Sequence, residues 1–132
     1  MRLSESVIAR WLAAGDAGNV EAFEDLLHVD VVVHAPRGLS TSSLNAEKQV
    51  WRDALAAMPD LRHDVQEVVA QGDIEMARVV VTGTVVHDFA GAPGVGRACR
   101  MDQAVISHLR DGKVAEAWEI ADVGALDDQI NA

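Results

Sequence analysis

A single cysteine, Cys99, stands in the whole chain. It excludes an intramolecular disulfide and any cysteine-based metal site. Basic residues are also scarce: 11 Lys+Arg face 21 Asp+Glu, a formal net charge of −10. Nucleic acid is a poor partner for such a chain, because phosphate binding needs a basic face. An anionic membrane surface is excluded on the same ground. Long apolar runs are missing, so no helix is expected to cross a membrane. The Val7-Ile8-Ala9 stretch is cut by Arg10 and is no signal-peptide core. No HxH or HExxH spacing joins the five histidines, which leaves no evident metal site. Neither a GxSxG elbow nor a GKS/GKT sequence occurs. Internal repeats and low-complexity segments are absent too.

What remains is a packed, acidic chain of 132 residues, 49% hydrophobic and 24% charged. That length suits one domain, residues 1–132, and the composition suits a cytoplasmic one. The first 58 residues read as three helices around one strand. Val7, Ile8, Trp11 and Leu12 keep helical spacing up to Gly15-Asp16. Asn19 resembles an N-cap for a short helix carrying Phe23, Leu26 and Leu27. Val29 to Ala35 is β-branched and ends at Pro36-Arg37-Gly38, and a third helix runs from about Asn45 to Met58. After Leu61 the apolar period falls from about 3.6 to 2. Four strands are expected, over Arg62–Ala70, Glu75–Val86, Ala98–Leu109 and Val114–Asp122. Gly83 inside the second of them suggests a bulge or bend. The Gly/Pro-rich link from His87 to Arg97 opens no helix, so its glycines are no phosphate loop. Helices followed by hairpin-linked strands imply an α+β fold, a strongly curved, mainly antiparallel sheet with helices on one face and a cavity between.

Candidate chemistry sits on the strands. Alternation along the last strand puts Val114, Glu116, Trp118, Ile120 and Asp122 on one face, and Ala115, Ala117, Glu119 and Ala121 on the other. If the bulky face is the inner one, Asp122 enters an apolar cavity with a raised pKa, fit for general acid–base work. The alternative is that Asp122 faces water and caps the segment Val123–Ile130. His34, which alternates with Val32, either binds a substrate oxygen or is a structural histidine. Hairpin register decides between Gln103 and His108 as the polar group beside Asp122. His108 lies near the hairpin tip, roughly 20–25 Å along the ladder from Asp122.

The ordered set of short motifs resembles the SnoaL-like polyketide cyclases of the nuclear-transport-factor-2-like (NTF2-like) superfamily. It comprises His34-Ala35-Pro36, Met58-Pro59-Asp60-Leu61, Val69 to Asp73, Val81-Thr82-Gly83-Thr84, Phe89-Ala90-Gly91, Asp111 to Val114 and Trp118 to Asp122. The resemblance implies a cone-shaped α+β barrel, a homodimer, and ring closure by intramolecular aldol condensation without metal or cofactor. Asp122 matches the family's acid/base aspartate; His34 and Gln103 or His108 would assist it. Trp51, Trp118, Ile120 and Phe89 would line the cavity around a small hydrophobic, polyketide-like substrate. The dimer would form through the opposite sheet face, where Ala115, Ala117, Ala121, Val79 and Val81 are expected. Two departures stand out: Pro93-Gly94-Val95-Gly96 replaces the usual Pro-Pro-Thr-Gly, and Val85 replaces a common histidine. The same fold also carries hydrolases, isomerases, dehydratases and non-catalytic binding or dimerisation modules.

Overall fold

The structure is a computed structural model and describes residues 1–132. Helix α1 (Val7–Asp16) starts at Ser6, whose side chain accepts from the backbone N–H of Ala9. A 3-10 segment, Val20–Asp25, stands where a short helix was expected, and Asn19 makes no side-chain cap. Strand β1 (Leu27–His34) and helix α2 (Leu44–Ala57) follow, the latter capped by Ser43. The meander comprises β2 (Arg62–Gln71), β3 (Ile74–Val85), β4 (Arg97–Arg110) and β5 (Lys113–Ala121). A last helix, α3 (Val123–Ile130), closes the chain. The five strands form one curved sheet in the order β1-β5-β4-β3-β2, with β1 parallel to β5 and the other pairs antiparallel. No helix is long and apolar enough to cross a membrane.

Helices α1 and α2 cover the concave face, and a single main core of Ile8, Trp11, Phe23, Val31, Val79 and Val105 fills the space beneath them. Gly15 belongs to this packing. A Cβ there would lie 2.3 Å from the ring of Trp51, so the glycine lets α2 approach α1. Gly83 has a similar task and makes no bulge. Its pairing with Cys99 is continuous, and the Sδ of Met58 comes within 3.3 Å of where a Cβ would stand.

The bulges lie elsewhere, and one of them inverts the expected faces of β5. Asp111 and Gly112 make a two-residue turn with φ of 53° and 77°, the left-handed pair that suits tight hairpins. Beyond it His108 faces Glu116 while Leu109 faces Val114, so Ala115 is an extra residue in β5. Val114 and Ala117, three apart, are consequently both fully buried. From there on Ala117, Glu119 and Ala121 point inward and Glu116, Trp118 and Ile120 outward. Trp118 and Ile120 therefore do not line the cavity, and Ile120 is 59% exposed. The expected dimer face is overturned by the same phase change, since Ala117, Val79 and Val81 are core residues.

Candidate active site

Between the helices and the sheet lie two adjoining hollows of about 120 and 130 Å³. They share Pro36, Leu39, Met58, Leu61, Val81, Phe89 and Met101, so they are chambers of one cavity. One chamber is apolar, reaching Val85, Ala92, Cys99, Val123 and Leu126. Arg37 stands at its edge and ties the loop after β1 to α3 through Asp127. The other chamber holds the polar groups: Glu47, Trp51, His63, Gln103 and Glu119.

Each polar group has a definable state. Glu47 projects from the buried face of α2, next to the buried Lys48, and accepts from Thr41 Oγ1 at 2.8 Å and Trp51 Nε1 at 3.0 Å. Burial raises its pKa, and those two hydrogen bonds oppose the rise. Glu119 has no such partners. Desolvation, and then repulsion from Glu47, push its carboxyl to a pKa of about 8. It is neutral at pH 7 and fronts the cavity. Gln103 is nine-tenths buried, yet its side-chain oxygen has no hydrogen-bond partner in the protein. A buried, unpaired amide facing a hollow is a costly arrangement unless something else fills it. His63 enters from the start of β2, held through Nδ1 by Asp16 at 2.7 Å and packed on Trp51.

Three residues expected from the sequence, Gln103, Trp51 and Phe89, line this cavity. Asp122 does not. It is exposed, and its carboxylate caps α3 by accepting from the backbone N–H of Ala125 at 3.0 Å. The reason is that β5 ends at Ala121, so the next residue serves as the helix N-cap. His34 is also outside, bonded to Glu116 at 2.7 Å and stacked on Trp118 at 5.3 Å. His108 meets the same indole edge-on at 4.9 Å. Both histidines thus decorate the convex sheet face.

Glu119, Glu47 and the Asp16–His63 pair were missed. Two signals for them exist in the sequence. Glu47 is the one carboxylate in an apolar helical stripe, and Asp16 ends a helix whose dipole disfavours a negative charge.

The sequence profile of the SnoaL-like polyketide cyclases matches residues 5–130. The chain belongs to that family. Among solved structures, IdmH from Streptomyces antibioticus, described as a candidate polyketide cyclase, is 28% identical with a TM-score of 0.83, covering 100% of both chains. TsrD from Streptomyces laurentii superposes with a TM-score of 0.87 at 23% identity, over 98% of this chain and 96% of that one. AclR from Streptomyces galilaeus, described as a candidate hydroxylase, reaches 0.78 at 22% identity, over 95% and 92%. The last two establish the fold alone. No curated protein matches the sequence. In this SnoaL-like, NTF2-like chain, the carboxyl that the last strand delivers to the cavity is that of Glu119.

Proposed function

We propose that the protein is a cofactor-independent cyclase that closes a ring in a small polyketide-like chain by intramolecular aldol condensation. The observation that carries this reading is Glu119, a carboxyl kept neutral at pH 7 on the wall of a cavity with an apolar annex. A β-dicarbonyl substrate presents acidic C–H groups and carbonyl oxygens, which call for proton transfer and hydrogen bonding rather than redox chemistry. A neutral Glu119 can donate to a carbonyl oxygen as negative charge develops there. Gln103 Oε1, unpaired in the free protein, can accept the hydrogen bond of an enol or hydroxyl group on the substrate. Phe89, Met58 and Met101 would pack the folded substrate into a near-attack shape. Acid–base work thus passes from Asp122, the residue suggested by resemblance, to Glu119.

Two conservative variants test this assignment. Glu119→Gln should lower ring closure of a linear aromatic poly-β-ketone by about 10²–10⁴-fold. Asp122→Asn should leave turnover within about twofold and cost roughly 1 kcal/mol or less through the weakened cap. The reverse pair of results would return the acid–base role to Asp122. Glu119, Gln103 and His63 could also hold a water molecule between them, which favours hydration or dehydration of similar substrates as a second reading. Carbon-13 NMR of the product distinguishes the two, since ring closure forms a new carbon–carbon bond whereas hydration or dehydration leaves the carbon skeleton open.

A homodimer is part of the proposal. Its support is the convex sheet face, where Val69, Met76, Ile106 and Trp118 form one cross-strand row beside Ile74 and Ile120.

A further inference from the structure

Resting on the cyclase reading above, the cavity contains a second proton-handling group that neither the family match nor Glu119 accounts for. Asp16 is the last residue of α1 and receives two bonds from a single residue. Its Oδ2 accepts the backbone N–H of His63 at 2.6 Å, and its Oδ1 lies 2.7 Å from Nδ1 of the ring. The indole of Trp51 packs on the imidazole with centroids 5.0 Å apart. Only 10% of the His63 side chain and 17% of the Asp16 side chain remain accessible. Nδ1–H of the ring is thereby committed to the carboxylate. Nε2 makes no bond within the protein, and the ring lines the same chamber as Glu119 and Gln103. This is the general logic of a base held in one tautomer by a buried carboxylate.

We infer that His63 Nε2 is the base that takes the carbon-bound proton of a β-dicarbonyl substrate, with Asp16 as its positioning residue and Glu119 as the proton donor. The roles divide by environment. A carboxyl with a pKa of about 8 presents an O–H at neutral pH, whereas the imidazole, its Nδ1 bonded to Asp16, leaves Nε2 without a bond in the protein. The C–H bond breaks as the Nε2–H bond forms, and the electron pair enters the enolate. The enolate carbon then forms the C–C bond to the second carbonyl, whose π pair moves to oxygen. That oxygen takes the proton of Glu119. Return of the proton from His63 to Glu119 restores both groups, and no oxidant or reductant is required.

Deuterium exchange at the acidic carbon of ethyl benzoylacetate, which cannot cyclise, isolates the first step. The wild-type protein should accelerate loss of the methylene proton signal in D₂O. His63→Gln should reduce that acceleration by about 10²–10⁴-fold. Asp16→Asn should lower the rate at saturating probe by about tenfold or more while KM stays within about twofold, a split that a purely structural role would not produce. Glu119→Gln, whose amide still donates, should slow exchange by about tenfold at most while ring closure is lost. Melting temperatures identify any variant that fails to fold; if His63→Gln does so, Asp16→Asn decides. Exchange that survives in both dyad variants and disappears in Glu119→Gln would make Glu119 the base, overturning this inference and leaving the cyclase reading intact. A wild-type protein that promotes neither exchange nor ring closure would overturn both.

Discussion

Asp122 and Glu119 sit three residues apart on the same stretch of chain, and their environments differ completely. Asp122 meets solvent and a helix N-terminus, where a carboxylate is favoured. Glu119 meets Glu47 and a hollow, where the charged form is disfavoured. The difference has a measurable sign. In the unfolded chain Glu119 titrates near 4.5, and in the folded protein near 8. Between these values the folded state binds more protons, so Glu119 withdraws stability as pH rises through this window and changes little above it. Glu119→Gln removes this loss. Its melting temperature should match that of the wild-type protein near pH 4 and exceed it by about 4 °C or more at pH 8, the shift expected for ~1 kcal/mol in a chain of this size. Parallel melting curves across that range would place Glu119 in contact with bulk water.

At the scale of elements, most boundaries were legible from the sequence. Helical and strand periods separate cleanly at Leu61, and the turns at Gly72 and Asp111-Gly112 bound strands within a residue or two of expectation. The phase of β5 was not legible. Its inversion follows from one extra residue, Ala115, which exists only relative to β4. Bulk also misled, because Ala121 lines the cavity and Ala117 packs in the core while the larger Trp118 and Ile120 face outward. A second hidden feature is the start of α1. Glu75 of β3 is buried there, accepting from Ser6 Oγ at 2.7 Å and from the N–H groups of Val7 and Ile8 at 3.1 and 3.2 Å. The carboxylate fixes α1 to the sheet by satisfying orphan helix donors and opposing the dipole's positive end. Nearly seventy residues separate the partners, so no local pattern reveals them. Glu75→Ala leaves those donors buried and should cost roughly 3 kcal/mol in denaturant unfolding, with Glu75→Gln intermediate. A loss below about 0.5 kcal/mol would mean that water reaches the helix end and replaces the carboxylate.

The whole molecule presents two faces to its surroundings. The concave face is consumed by α1, α2 and the cavity, whereas the convex face is bare. Val69, Ile74, Met76 and Ile120 are each 41–59% exposed there, beside Trp118 with its flanking His34 and His108. Contiguous exposed apolar surface on this scale marks an association site. The proposed occupant is a second copy of the same chain, because a twofold interface needs one self-complementary patch and an apolar row can supply it. Light scattering at micromolar concentration should give twice the 14.1 kDa chain mass. Met76→Glu places a charge in the middle strand of the patch, opposite Ile106, and should yield a monomer. The cavity lies across the sheet from this surface, and Val69, Ile74, Met76, Ile106, Trp118 and Ile120 do not line it. Ring closure per chain should therefore persist in the monomer at low temperature, while its melting temperature falls because association no longer stabilises the fold. A Met76→Glu protein that remains dimeric would place the second copy on another surface, leaving the exposed row without an occupant. Loss of activity in a folded monomer would instead mean that sheet curvature, and with it the placement of Glu119, depends on the partner.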